Sequence, residues 1–224
     1  MQRRPFLLAG SALLVAGTRP AIAAAWDDGW LFRATRNGSP IGWHRILLRR
    51  DGDRIDTEIE IDLAVKLAFV TLYSYRHRNR EQWSGDRLVG FASETDDNGE
   101  PFRVEARAEG ERIAVNGAAG TVEAPLGTAP TTWWSRRFVE PGRWIDTQKG
   151  GLLSSSVEAA GRDRIVAAGR MTEADRFVVS GDLDLELWYA GDRWAKLAFA
   201  ASDGSRIEYE LVATGPAAAT AERA

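Results

Sequence analysis

A strict alternation of apolar and charged residues, broken at short intervals by glycine turns, constrains this chain more than any other feature. In RIDTEIEIDL, residues 54–63, the side chains of Ile55, Thr57, Ile59, Ile61 and Leu63 point one way, and those of Asp56, Glu58, Glu60 and Asp62 the other. A period of two puts successive side chains on opposite faces of a strand, one buried and one wet. Ile207, Tyr209 and Leu211 alternate with Arg206, Glu208 and Glu210 in the same way. Between such segments stand RNGS at 36–39, RDGDR at 50–54, SGDR at 84–87, DDNGE at 96–100, AEGER at 108–112, AGDR at 190–193 and SDGS at 202–205. Asn-Gly and Asp-Gly accept the positive φ angles of tight hairpins. The pattern predicts an all-β chain of roughly twelve strands joined hairpin to hairpin.

A flat antiparallel meander of that width would leave long unpaired edges, so the sheet is expected to curl into a barrel or half-barrel. A two-sheet sandwich is the alternative packing. One short helix is expected near residues 131–139 of TAPTTWWSRRFVEPG, with Thr131 or Thr132 at its N-cap and Pro141-Gly142 ending it. It would interrupt the meander and plug or lid one end. The tail from 214 to 224 has no periodicity and is expected to be disordered.

The first residues have the form of an export signal. Arg3-Arg4 precede Phe6-Leu7-Leu8, a mildly apolar run continues to Gly17, and Ala21-Ile22-Ala23 gives the small-x-small pattern of a signal peptidase site. The arginine pair resembles the twin-arginine signal, although Gln2 stands where Ser or Thr is usual and no Lys follows the leucines. An ordinary secretory signal is the alternative. This predicts a signal peptide over 1–23, a single β-rich domain over 24–213 and a periplasmic location. The partners would include the twin-arginine translocation machinery and the signal peptidase. Loss of Arg3, Arg4 and Arg19 would take the formal net charge from −3 to −6. Such a balance argues against a nucleic-acid partner, which needs clustered positive charge. No later apolar run approaches the ~18 residues of a membrane-spanning helix. The chain has no cysteine, which excludes disulfides, thiolate metal ligands and a Cys nucleophile.

Chemistry concentrates in YSYRHRNREQW, residues 73–83. In an extended chain Tyr73, Tyr75, His77, Glu81 and Trp83 share one face, and Arg76, Arg78 and Arg80 the other. A single strand over Phe69–Trp83 would reach about 50 Å at ~3.3 Å per residue, so a bend or bulge is expected near Arg78 to Arg80. Tyr73, Tyr75 and His77 are candidate cavity-lining residues, with Glu81 and Trp83 near the mouth, while the arginines belong to a solvated face. His44, in PIGWH, is the other histidine, and Gly42 would let its strand bend. Two imidazoles with Glu81 could hold zinc, iron or copper, but no HxH or HExxH spacing supports a metal. The acids of ETDDNGEP form a hairpin turn rather than a calcium loop, and GGLLSSSVEAAG lacks the G-x-S-x-G elbow of a serine hydrolase. The cofactor is undefined.

Nine tryptophans are the compositional outlier. Trp133 and Trp134 would diverge by about 100° on a helix, leaving one, assigned as Trp134, to face a ligand. Trp188 and Trp194 flank a turn, where they would pair as cross-strand aromatics.

PIGWH, YSYRHRNREQW followed by SGDRL, SETDDNG, LWYAGDRWAKLAF and IEYEL, in this order, resemble an uncharacterised family of exported proteobacterial proteins. The resemblance implies export and a β-rich fold but no activity and no catalytic residues. By architecture alone, the chain is similar to periplasmic lipoprotein-carrier half-barrels, whose concave face holds acyl chains. The leading expectation is a non-enzymatic periplasmic carrier of a hydrophobic or lipid-like small molecule, with ligand-binding residues Tyr73, Tyr75, His77, His44, Glu81, Trp83 and Trp134. The alternatives are an envelope lipid- or glycan-modifying enzyme using His77 as base or metal ligand with Glu81 as its partner, and a structural or assembly factor.

Overall fold

Residues 26–118 and 120–220 are described by a computed structural model of the chain. The candidate export signal lies outside the described residues. Fifteen strands follow one another as β1 (Asp28–Arg36), β2 (Ser39–Asp51), β3 (Arg54–Leu67), β4 (Val70–Ser84), β5 (Arg87–Asp97), β6 (Glu100–Glu109), β7 (Arg112–Gly117), β8 (Gly120–Pro125), β9 (Ala129–Pro130), β10 (Arg143–Ile145), β11 (Leu152–Ala167), β12 (Arg170–Gly181), β13 (Leu185–Ala190), β14 (Arg193–Ala200) and β15 (Arg206–Thr214). All lie in one sheet, in the order β8 to β1, then β15 down to β9. Every pairing is antiparallel except β9 with β10. Asn37-Gly38 and Asn98-Gly99 both take positive φ at their hairpin turns, as the sequence requires.

The two edge strands of this order, β8 and β9, are separated in sequence by residues 126–128 alone. A link of that length reaches at most roughly 14 Å. The sheet must therefore curl until its edges approach, and the architecture is a barrel-like wrap in which β8 and β9 do not pair.

Alternate residues build the interior. Ile55, Ile59 and Leu63 of β3, Trp83 of β4, Phe91 of β5 and Val104 of β6 are buried. The opposite faces of the same strands carry cross-strand charges, including Arg76–Asp96, Arg78–Glu60 and Arg80–Glu58 at 3.5 Å each. The three arginines are exposed, as expected for a solvated face, and such pairs contribute only about 0–1 kcal/mol each. β4 runs unbroken through Arg78 and Arg80. The register irregularities lie instead at Val65/Lys66 and Gln82/Trp83, near its ends, so the bend expected at Arg78 to Arg80 is displaced.

Gly42 does allow a local irregularity. Its φ is +145°, the β1–β2 register shifts beside it, and a Cβ there would sit 2.0 Å from the Asp62 carbonyl oxygen.

The connection between β8 and β11 crosses the interior. Tyr189 Oη on β13 donates to the Trp133 carbonyl (2.8 Å), and Ser93 Oγ on β5 donates to the Thr147 carbonyl (2.6 Å). The helix expected over 131–139 is reduced to a 3-10 turn at Arg136–Phe138. Trp133 takes φ +58°, and Thr131 N donates to the Ile145 carbonyl, so β-type pairing claims the residues that would have begun the helix. Of the tail, residues 214–220 are described, and part of that stretch is ordered. Ala217–Thr220 form a helical turn, α1, with Ala218 fully buried against Gly29 of β1. Arg45 Nη1 donates to the Ala219 carbonyl (3.3 Å). Among the described residues no helix is long and apolar enough to cross a membrane.

Candidate functional site

Register places the two histidines in one row. His44 of β2 pairs with Ile61 of β3, Ile61 with His77 of β4, and His77 with Thr95 of β5. Two strand spacings of ~4.8 Å put the His44 and His77 backbones roughly 10 Å apart on the inner face. Both line one cavity of about 470 Å³, with Tyr75, Trp133, Trp194 and Tyr209 among its other walls. A second cavity of about 720 Å³, bounded by Leu63, Val65, Leu72 and Tyr73, shares Ile61, Tyr75, Gln148, Phe199 and Tyr209 with the first. Of the sequence-predicted residues, His44, His77, Tyr75 and Tyr73 are thus brought together.

Each is held differently. His44 is 4% exposed and packed edge-on against Trp194 and Tyr209, and neither ring nitrogen has a hydrogen-bond partner among the described residues. Burial, with a smaller contribution from nearby His77, lowers its pKa to about 3. His77 stacks on Tyr75 (6.3 Å between centroids), and its Nδ1 lies 2.8 Å from Thr95 Oγ1. Its pKa is lowered to about 4 by burial. At neutral pH both rings are uncharged, each offering one N–H and one lone pair. Tyr75 Oη donates to Gln148 Oε1 (3.4 Å), Gln148 Nε2 donates to Asp97 Oδ2 (3.0 Å), and Tyr73 Oη donates to Asp97 Oδ1 (2.8 Å). Burial raises the pKa of both phenols, and Asp97 adds to the effect at Tyr73. This chain ties the shared wall of the two cavities to the turn after β5.

Glu81, Trp83 and Trp134 are not part of that cavity. Glu81 lies four residues along β4 from His77, about 13 Å at ~3.3 Å per residue. It is 1% exposed and accepts hydrogen bonds from Thr57 Oγ1 (3.1 Å), Asn79 Nδ2 (3.1 Å), Trp83 Nε1 (2.8 Å) and Trp134 Nε1 (2.9 Å). Burial raises its pKa against the opposing effect of hydrogen bonds from Trp134, Trp83 and Thr57. Trp83 and Trp134 meet edge to face at 5.5 Å and both pack on Phe138. The inner face of β4 therefore carries two separate centres, a cavity around His77 and a packed polar cluster around Glu81. Among the described residues no carboxylate is hydrogen-bonded to His77, whose partner is Thr95. Among the described residues no group of three or more His, Cys, Asp or Glu side chains is placed to hold a metal ion.

Of the tryptophan pair, Trp133, at φ +58°, lines the cavity, while Trp134 packs on the Glu81 cluster. Trp188 and Trp194 do not pair across their hairpin, since a bulge at Trp188/Tyr189 sets Tyr189 opposite Trp194 and Trp188 opposite Lys196. Trp188 Nε1 then donates to Asp163 Oδ2 (2.8 Å), while Trp194 turns inward onto Phe32 and His44. The sequence reading missed Tyr209, Gln148 and Phe199 as wall residues. The alternation of IEYEL already put Tyr209 on the inner face, but nothing local marked Gln148. The acids of ETDDNGEP serve the turn and rim, with Asp96 Oδ1 accepting from Gly99 N (2.8 Å).

The structure is similar to a solved one, the beta-barrel-like protein of domain of unknown function DUF1849 from Brucella abortus. The TM-score is 0.59 and the identity 10%, over 85% of this chain and 97% of that one, a likeness of fold alone. The comparison with curated proteins found no match. The interior row of His44 and His77 and the strands around it fall within residues 32–212, which match the family model described as Domain of unknown function (DUF6134), and the chain belongs to that family.

Proposed function

We propose that the protein is a non-enzymatic carrier of a lipid-like amphiphile, held in the two cavities with its polar end near His77, Tyr75 and Gln148. The observation that carries this reading is the join between the cavities. A space whose aromatic and aliphatic walls stand beside polar and charged ones adjoins a second space walled by Leu63, Val65 and Leu72. Volumes of roughly 300–1,000 Å³ suit ligands of a few hundred daltons. The rim of the larger cavity runs into the β3–β4 hairpin tip, where Leu67, Phe69, Val70 and Leu72 are exposed, Phe69 completely. Lys66 is the single charge between Leu63 and Tyr75. An entrance so poor in charge suits an apolar molecule. The carrier would work in the periplasm, a location that rests on the twin-arginine-like pattern of residues 1–23.

The test is binding of N-phenyl-1-naphthylamine, an uncharged fluorescent apolar probe, to the native protein and to Ile61→Trp. Ile61 lines both cavities and stands between the two histidines, so an indole there would fill the shared space. Saturable binding that drops at least tenfold in the folded variant is expected. Equal binding by the two proteins would remove the cavities from the account.

A further inference from the structure

The charges around the cavities restrict what the polar end can be. Acidic side chains outnumber basic ones on the walls of the smaller cavity, where Asp146, Asp182 and Asp184 face a single lysine, Lys149. Lys149 Nζ sits 5.1 Å from the centroid of the Phe102 ring. The basic side chain of the larger cavity, Arg36, is ion-paired with Asp203 and donates through Nε to Ser205 Oγ (2.9 Å). Neither cavity thus offers a basic group without an engagement of its own, and the buried imidazoles are neutral at pH 7. A carboxylate or phosphate moved there from water would lose its hydration and, in the smaller cavity, meet three aspartates against Lys149 alone, so repulsion adds to the desolvation cost. Neutral hydrogen-bonding groups are abundant by contrast. The unpartnered ring nitrogens of His44 are among them, as are His77, the Tyr75 hydroxyl and the Gln148 amide.

We infer that the molecule carried in these cavities has an uncharged polar end, such as a hydroxyl, ester or amide, rather than a carboxylate or phosphate. This rests on the carrier reading above and narrows its ligand class. A hydroxyl beside a neutral imidazole can donate to one nitrogen or accept from the other, whichever tautomer is present. Desolvated donors and acceptors without partners weaken a protein, so a group that satisfies them is favoured over one that cannot. The acidic side chains act against an anion at longer range. Asp182 Oδ2 accepts from Ser154 N (2.8 Å) and Asp184 Oδ1 from Gly181 N (3.2 Å), which fixes both near the cavity.

The experiment displaces bound N-phenyl-1-naphthylamine with two ligands of the same chain length, 1-monopalmitoylglycerol and palmitate, at pH 7. The uncharged glyceride should compete at least about tenfold more strongly than the anion, given the desolvation of an unpaired carboxylate. In Asp182→Asn/Asp184→Asn, which keeps the acceptor oxygens and removes two charges, that preference should shrink. Palmitate binding as tightly as the glyceride in the native protein would overturn the inference while leaving the carrier reading intact. An undiminished preference in the double variant would overturn its electrostatic basis. Failure of the probe itself to bind would remove the carrier reading, and this inference with it.

Discussion

Trp134 Nε1 donates a 2.9 Å hydrogen bond to Glu81 Oε2, fastening the segment that crosses the barrel to the inner face of β4. Trp83 and Thr57 donate to the same oxygen, so one buried carboxylate oxygen gathers three donors from two strands and the crossing segment. Trp134→Phe removes one donor and leaves a smaller ring. A loss of about 2 kcal/mol is expected from the missing bond and the gap, read as a lower urea midpoint with unchanged far-UV dichroism. An unchanged midpoint would mean that the crossing segment is held by other contacts.

Glu81 itself separates size from charge. Glu81→Gln keeps the volume and one acceptor oxygen and removes the titration. Glu81→Ala leaves several buried donors unpaired and should cost at least about 3 kcal/mol. Burial raises the Glu81 pKa above its ordinary 4.5, so the folded state holds the proton more tightly than the unfolded chain. The stability this gives is fully present below about 4.5 and is lost as pH rises through the raised folded value. Glu81→Gln should therefore gain on the native protein as pH rises, in urea midpoints taken from pH 4.5 to 8. A pH-independent difference between the two proteins would contradict the raised value.

The histidines act in the opposite sense. Their folded pKa values of about 3 and about 4 lie below the ordinary 6.5, so the stability they contribute is present above pH 6.5 and is lost as pH falls toward those values. By pH 4 the loss should reach on the order of 3 kcal/mol for each ring, by linkage. Since the chain has two histidines, their imidazole resonances are readily followed by NMR. Neither should titrate between pH 7 and 5.5 in the folded protein. A midpoint near 6.5 for either ring would place it in solvent.

Gly42 is held by its surroundings rather than by a turn. At φ +145°, with the Asp62 carbonyl 2.0 Å from any Cβ, Gly42→Ala must move β3 against β2. A destabilisation of at least about 2 kcal/mol is expected, since backbone strain and a clash combine. The same change at Gly38, whose Cβ would meet nothing within 4 Å, meets the turn's strain without the clash and should cost less. Equal midpoints for the two variants would remove the argument for close approach.

How much of this was legible in the sequence follows from the range over which each force acts. The period of two in β3 and β4 is local, and it assigned the faces of Ile59, Ile61, His77 and Arg78 correctly. Barrel curvature followed from the edges so wide a sheet must manage. What escaped was register. His44 and His77 share a cavity because Ile61 pairs with both, and nothing within the 32 residues of intervening sequence states that pairing. Glu81 shows the limit of a shared face, since it points inward like His77 but lies two inner positions further on, against Trp134 rather than the cavity. Thr131 or Thr132 and Pro141-Gly142 mark the ends of a short helix, and long-range pairing of Thr131 with Ile145 overrides those local signals.

The carrier reading stands or falls on occupancy. Native mass spectrometry of the protein purified from its own cells, alongside Ile61→Trp, tests it most directly. The account predicts an added mass of a few hundred daltons on the native protein, released by denaturation, and no such mass on the folded variant with the filled cavity. A bare native chain, or an adduct that survives unchanged in Ile61→Trp, would contradict it.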